Sequence, residues 1–379
     1  MNIVYAKKFR FPDPSANVIQ GLNMVSAFAS SDVNIKSLLS FANNITDRNF
    51  YLHRTYGISK DSLGDTTWIS KQARGLRYSY WLLRAIMADP TATIYTRENT
   101  EFSKALLLKR ITRLPFRIIH EVHKLNSRDS DNLTPTKTKF SPIFRKLSQA
   151  NGLVFIDENL QNQIMNNLAS KIPTLVAPSG ANIVAFSPRE TPQPSSDVLI
   201  GYFGTISEEK GVFLLADALR YLPKNYRLKL VGRTTPQAQE EILRRIGNDT
   251  QRIIFTGHLN PSELPDAMAD VHISVIPSIS RDKFLSPLKL AESLALGLPL
   301  VCTPVEHLKS LVRDGSQAFF STSLQPHDLA QAISRLAESP DIMSRMRTEN
   351  RRYAHFFSWD NRAKKIIEFI DSLYSVTQK

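Results

Sequence analysis

Asp282-Lys-Phe-Leu-Ser-Pro-Leu-Lys-Leu-Ala-Glu-Ser-Leu-Ala-Leu-Gly-Leu-Pro-Leu-Val-Cys-Thr303 is the stretch around which the chain is organised. Before it, Val271 to Pro277 is a short β-rich run that suits a buried parallel strand. From Pro287 to Leu296 the pattern turns helical, with Leu288, Ala291, Ala295 and Leu296 at core spacing. Ser286 is a natural N-cap and Pro287 suits the first helical position. Gly297 ends the helix, and Leu298 to Thr303 resumes a buried strand. A helix N-terminus at Leu285, Ser286, Pro287 and Leu288 presents free amides and the positive end of the dipole to an anion. Lys289 adds a full charge one turn in, and Glu292 lies a further turn along, where a carboxylate can hold a ribose diol. A nucleoside diphosphate is the ligand this arrangement suggests.

The rest of the chain repeats that rhythm. Asn2 to Ala6 reads as a strand, Phe11 to Ser15 as a turn, and Ala16 to Ala29 as an amphipathic helix. Ser15 and Asn17 therefore stand in a strand-to-helix loop, the opening of a Rossmann-like half. Thr93 to Arg97 and Ile118 to His123 are further strands, leaving Arg97, Glu121 and His123 at carboxyl ends, where open parallel sheets collect ligands. Gly152 to Asp157 and Thr174 to Pro178 continue the series. Phe186 to Asp197, rich in Pro and Ser, reads as a linker between domains 1–185 and 198–360. Beyond it, Val198 to Phe203 leads into Gly204, Thr205 and Lys210, Arg227 to Val231 into Gly232, and Arg252 to Gly257 into His258 and Leu259. Strands alternating with helices predict an α/β chain with parallel sheets covered on both faces.

Composition bounds the function. A chain of 379 residues with 42% hydrophobic and 22% charged residues has the makeup of a globular protein with room for two cores. A lone cysteine, Cys302, excludes a disulfide framework and suits a reducing cytoplasm. The chain starts directly on a strand without a basic-then-apolar leader, and no apolar run reaches the length of a membrane span, so a cytoplasmic protein is expected. The formal charge of +13 favours an anionic partner. Residues 71–87 read as a basic amphipathic helix. Lys71, Arg74, Arg77, Trp81 and Arg84 fall on one side and Leu76, Tyr80, Leu82, Leu83, Ile86 and Met87 on the other. Such a helix fits either the sheet, with a solvated cationic face, or an anionic membrane. No spacing of His, Cys, Asp and Glu marks a metal site, and the scattered basic residues form no interleaved nucleic-acid signature.

Ser286-Pro-Leu-Lys-Leu-Ala-Glu-Ser-Leu-Ala-Leu-Gly-Leu-Pro299 resembles the signature helix of the retaining GT-B glycosyltransferases, the large family four of nucleotide-sugar-dependent enzymes. The resemblance implies two Rossmann-like domains facing across a cleft, with a last helix, 361–379, crossing back onto the first. It implies that the loop before the helix cradles the donor phosphates and sugar, that Glu292 binds the ribose, and that Lys210 binds the diphosphate. It also implies that His258 and Leu259 lie near the base and that His123 contacts the transferred sugar. His123, Lys210 and Glu292 are then the residues closest to the chemistry, with no metal at the diphosphate and no cofactor. Phe357-Ser-Trp-Asp360 resembles the family's closing segment, and Pro178-Ser-Gly-Ala-Asn182 its junction turn, with Asn182 in place of Asp. Phe284 stands where the family's other glutamate is usual, and Thr205 where an arginine is common, so the donor sugar stays open. The expected partners are a nucleotide-sugar and a glycan or lipid-linked acceptor, with peripheral contact to an anionic membrane and no nucleic acid. A GT-B epimerase or phosphorylase, or a non-catalytic basic adaptor, are the alternatives.

Overall fold

A computed structural model of the chain describes residues 1–13, 15–41, 47–70, 76–123, 142–168, 170–189, 197–279 and 288–375. The chain divides into two compact units, Met1–Ser179 with Trp359–Lys379, and Gly180–Ser358.

The first unit runs β1 (Asn2–Phe11), α1 (Ala16–Ala29), β2 (Asn34–Phe41), α2 (Arg48–Tyr56), β3 (Asp65–Ser70), α3 (Leu76–Ala88), β4 (Thr93–Thr96) and α4 (Asn99–Thr112). It continues with β5 (Arg117–Val122), α5 (Pro142–Leu147), β6 (Gly152–Phe155), α6 (Glu158–Met165) and β7 (Thr174–Val176). The strands are parallel in the order β3-β2-β1-β4-β5-β6-β7. Residues on β4 and β6 are buried throughout, as strands covered on both faces require. Tyr5 stacks on Tyr95 with ring centroids 5.7 Å apart, and Phe28 of α1 closes this aromatic cluster. β1 runs longer than its apolar opening suggests because Lys7 stays inside the sheet, paired with Leu39 of β2.

The second unit runs β8 (Val198–Phe203), α7 (Val212–Leu219), β9 (Tyr226–Val231), α8 (Pro236–Ile246), β10 (Ile253–Gly257), α9 (Leu264–Ala269), β11 (Ile273–Ile276) and α10 (Leu288–Leu296). It closes with β12 (Leu300–Cys302), α11 (Glu306–Lys309), β13 (Phe319–Phe320), α12 (Pro326–Ala337) and α13 (Pro340–Ala354). Its parallel strand order is β10-β9-β8-β11-β12-β13. α10 is buried at every position but Lys289, so its near-continuous apolar face reflects contact with both sheet and α13. Gly297 ends it in the left-handed region (φ 70°), and the Leu298 N–H returns to the Ser293 carbonyl at 2.9 Å. In both sheets the strand order reverses at one place, between β1 and β4 and between β8 and β11. Ligands of open α/β sheets collect at the carboxyl ends there.

Two boundaries differ from those read in the sequence. Residues 180–185 belong to the second unit, and the described start of the 186–197 segment is core rather than linker. Phe186 and Ala181 are buried in the second unit's core, and the Ala181 N–H bonds the Phe357 carbonyl at 2.7 Å. Pro and Ser density signals irregular backbone, but a single buried aromatic decides which core the segment joins. The last helix, α14 (Trp359–Ser375), starts at Trp359 and belongs to the first unit. It lies directly on β6, where a Cβ at Gly152 would sit 2.9 Å from the Phe369 ring.

The faces of α3 are also different from the helical-wheel reading, whose Lys71 and Arg74 lie outside the described residues. α3 buries Tyr78, Leu82, Ala85 and Ile86, and the Tyr78 hydroxyl donates to the Leu38 carbonyl at 2.9 Å. Leu76 (87% exposed), Tyr80 and Met87 (61%) face solvent instead, beside exposed Arg77 and Arg84. The core took the one stripe with small and aromatic members that fit against β2.

Candidate functional site

The turns at the carboxyl edge of the second sheet touch one another through bare backbone. A Cβ at Gly232 would lie 1.8 Å from the Gly204 carbonyl oxygen, and one at Gly211 would lie 1.6 Å from the Pro277 carbonyl oxygen. All three glycines also hold positive φ (146°, 76° and 149° for Gly204, Gly211 and Gly232). The Gly204 N–H bonds the Val231 carbonyl and the Gly232 N–H the Gly257 carbonyl, both at 2.9 Å. Glycine thus lets the turns after β8, β9 and β11 close onto one another beside the switch point, where ligands of open α/β sheets collect.

Around this edge the sequence-predicted donor residues fall as follows. The Thr205 carbonyl accepts from the Tyr202 hydroxyl at 2.8 Å, fixing the turn after β8. Lys210 is half-buried at the end of a one-turn 3₁₀ segment, Glu208–Lys210, next to Gly211. His258, exposed, and Leu259, half-buried, follow β10 at the same edge. Leu288 opens the described part of α10, and Lys289 Nζ lies 2.6 Å from the buried Glu292 carboxylate. Lys289 therefore neutralises Glu292 rather than standing alone for a phosphate. Leu285, Ser286 and Pro287 lie outside the described residues, as does Phe284. Sequence reasoning missed Ser278, which directly follows β11. Among the described residues its buried hydroxyl has no hydrogen-bond partner, while its carbonyl accepts from Thr303 at 2.5 Å. An unsatisfied buried hydroxyl costs stability unless something occupies it.

The switch point of the first sheet carries a buried polar cluster that holds most of the residues predicted there. Lys7 is 0% exposed, and its Nζ donates to Asn17 Oδ1 at 2.6 Å and Glu98 Oε1 at 3.0 Å. Burial lowers its pKa to about 7, with Arg97 adding to the effect. Glu121 Oε1 accepts from Gln20 Nε2 at 2.9 Å and from the ring of His123, while the Tyr95 hydroxyl donates to Oε2. Arg97 donates to Gln20 Oε1. Asn17, Arg97, Glu121 and His123 are thus brought together. Ser15 contributes only backbone: its carbonyl accepts from the Val18 and Ile19 amides, and its side chain caps nothing. Lys7, Gln20 and Arg362 are the members that sequence reasoning missed, while Glu98 follows Arg97 at the strand tip where the sequence puts it. A lysine within a strand at β1 gave no signal of burial, and Arg362 comes from the far end of the chain.

Burial, helped by Arg97 and Arg362, lowers the His123 pKa to about 3 even though Glu121 opposes the shift. Burial likewise lowers His120, stacked on Phe102 at 4.2 Å, to about 4. Arg362 and His123 hold Glu121 well below the usual carboxylate range despite its burial.

Residues 197–339 match the family described as Glycosyl transferases group 1. Solved structures extend the likeness over the whole chain at the level of the backbone. Anabaena HepE in complex with UDP and glucose superposes with a TM-score of 0.70 at 15% identity, over 98% of this chain and 99% of that one. Sucrose-phosphate synthase from Thermosynechococcus elongatus gives 0.72 at 18% identity, over 99% of each chain. The fold is GT-B. Among curated proteins, the D-inositol 3-phosphate glycosyltransferase of Corynebacterium urealyticum is 25% identical over 225 residues, 54% of this chain and 52% of that protein. A phosphatidyl-myo-inositol mannosyltransferase of Mycobacterium leprae is 22% identical over 202 residues, 52% of this chain and 53% of that protein. The chain spans about half the length of these curated relatives. The family match lies within the second GT-B unit, which carries the glycine turns.

The neutral histidines give the fold a pH dependence. The unfolded chain takes a proton on His123 near its ordinary 6.5, the folded chain only near 3, so stability is complete above about 6.5 and falls as pH drops through that window. His123→Gln should make the decline between pH 6.5 and 4 shallower by up to about 1.4 kcal/mol per pH unit, read from chemical denaturation. An unchanged slope would mean that His123 is not held neutral.

Proposed function

We propose that the chain is a retaining glycosyltransferase that moves a sugar from a nucleoside-diphosphate sugar to a glycan or lipid-linked acceptor. Its setting would be the cytoplasmic synthesis of a bacterial surface polysaccharide or glycoconjugate. One observation carries this reading. Three turns interleave at the switch point of the second sheet through Gly204, Gly211 and Gly232, with Lys210 on one turn and a buried carboxylate, Glu292, on the helix that follows β11. Lys210 and the backbone N–H groups of Ser286 and Leu288 would hold the diphosphate, Glu292 the ribose diol, and His258 and Leu259 the base. The match of residues 197–339 to group 1 glycosyl transferases, and UDP and glucose in the structure of HepE, support that assignment.

In the transfer, the bond from the anomeric carbon to the departing phosphate oxygen breaks, and its electron pair leaves with the nucleoside diphosphate. The acceptor oxygen bonds the same carbon on the same face and gives its proton to that phosphate oxygen. Lys210 and the helix amides stabilise the charge that develops on the leaving group, so neither a resident cofactor nor a metal at the diphosphate is required. The first unit supplies acceptor-side residues, with His123 as the group turned to the sugar. A thermal-shift screen of UDP, GDP, ADP, CMP and dTDP tests the reading. One nucleotide should stabilise the wild type by about 2.7 kcal/mol at about one hundred times its Kd, a shift of a few degrees, and leave Glu292→Ala nearly unmoved. No response to any of the five would remove the reading's main support.

The exposed side of the first unit favours a lipid-linked acceptor reached by peripheral contact. α3 and its neighbour α4 together expose Leu76, Tyr80, Met87, Leu107 and Ile111, interspersed with exposed Arg77, Arg84 and Arg110. Neither helix has an exposed acid: the one on α4, Glu101, is buried and paired with Lys104 at 3.2 Å. Apolar side chains flanked by arginines match an anionic lipid surface, and among the described residues no helix is long and apolar enough to cross a membrane. Flotation should carry the protein with phosphatidylglycerol vesicles and not with phosphatidylcholine vesicles, and Leu76→Ser with Met87→Ser should reduce the floated fraction several-fold. Equal flotation of wild type and variant would exclude this face.

A further inference from the structure

α14 enters the first unit and buries Arg362 (2% exposed) beneath the polar cluster at the carboxyl edge of the first sheet. Its Nε lies 3.1 Å from the carbonyl oxygens of both Ala177 and Pro178, beyond β7, and Nη1 lies 3.1 Å from Met24 Sδ on α1. Nη2 stands 3.0 Å from Glu121 Oε1. That last contact is an ion pair rather than an aligned hydrogen bond, since Nη2 makes none within the geometric limits of one. Glu121 in turn receives Gln20, Tyr95 and the His123 ring. Three hydrogen bonds and one ion pair converge on a single carboxylate, with three of the four partners on Oε1. Glu121 is thus a peg for other side chains.

We propose that Arg362, brought in by the last helix, is a positioning residue that fixes Glu121 and, through it, the ring of His123. The proposal rests on His123 being the group presented to the sugar. Its physical content is that a buried carboxylate keeps its charge only beside a cation, and only a charged Glu121 holds one face of the imidazole in one orientation. The other ionisable groups facing the pair are Tyr5 and Lys7 on β1, Tyr95 on β4, and Arg97 and Glu98 beyond it. Lys7 is already committed to Glu98 and Asn17, and Arg97 donates to Gln20, so Arg362 is the cation in direct contact with Glu121. The consequence reaches along the chain: residues 359–375, last in sequence, complete a site opened by residues 7–20.

The test needs no substrate. Histidine side chains labelled with ¹⁵N are followed by NMR from pH 8 to 4, with His123→Gln identifying the resonance. Arg362→Gln keeps a donor for the Ala177 and Pro178 carbonyls but removes the charge. In wild type the His123 ring stays neutral across the range. In Arg362→Gln its resonance should titrate at a pH about one unit higher or more. Arg362→Lys, which retains the charge, should restore the wild-type behaviour. A folded Arg362→Gln protein whose His123 signals match wild type overturns the proposal, as does an Arg362→Lys protein in which His123 titrates as a free imidazole. A merely structural role would lower the melting temperature and leave the titration in place. Retained transfer in His123→Ala would instead sink the role of His123 in the reaction, and the NMR result would still stand as read.

Discussion

The second unit depends on backbone approaching backbone without an intervening side chain. Gly204, Gly211 and Gly232 let the turns after β8, β9 and β11 lie against one another at the carboxyl edge of a parallel sheet. Any Cβ at Gly211 or Gly232 would collide with a carbonyl oxygen, and carbonyl oxygens at a strand end cannot retreat without breaking the sheet. The sheet order, the turns and the buried helix α10 are therefore parts of one constraint. β8 and β11 stay paired side by side, and because the strand order reverses between them it is the connections beyond their carboxyl ends that part and leave a crevice.

The first unit solves the corresponding problem with charge. Its switch point is lined by Lys7, Arg97, Glu98, Glu121 and Arg362, all wholly or largely out of water: Lys7 pairs with Glu98, Arg362 with Glu121, and Arg97 donates to Gln20. Burying charge is tolerable only when each is matched, so the set is interdependent: a change at one member exposes the others to an uncompensated field. The two units share a topology but not a chemistry. One edge is shaped by the absence of side chains, the other by an excess of ionised ones, which suits a common anionic ligand at the first and a chain-specific partner at the second.

Much of the architecture was legible in the sequence because periodicity and glycine placement are local signals. The strand from Val271, the helix through Leu296 and the Gly297 stop could be read from spacing, and Ala16–Ala29 matches its amphipathic stripe to the residue. Gly204 and Gly232 were identified as turn residues, but their mutual contact was invisible, since it joins residues on separate strands. In the first unit, Arg97, Glu121 and His123 could be placed at strand tips and Asn17 at the start of the first helix, whereas Lys7 read as an ordinary lysine in a strand. Arg362 could not be connected to Glu121 by any rule of spacing. Phe186 shows the opposite failure: a segment rich in Pro and Ser looked like a linker, yet one aromatic anchored it to the second core. The exposed stripe of α3 shows why a wheel drawn without a neighbour cannot choose between two apolar faces.

A nucleotide held on the carboxyl edge of the second sheet, as proposed, should be visible by hydrogen–deuterium exchange with and without UDP, and then with GDP or ADP, which reports where on the chain the ligand acts. Slowed exchange is expected only at the amides around Gly204–Gly211, Gly232 and the start of α10 at Leu288–Glu292, with the first sheet unchanged. Protection centred on the first unit, or none with any of the three nucleotides, would contradict that placement.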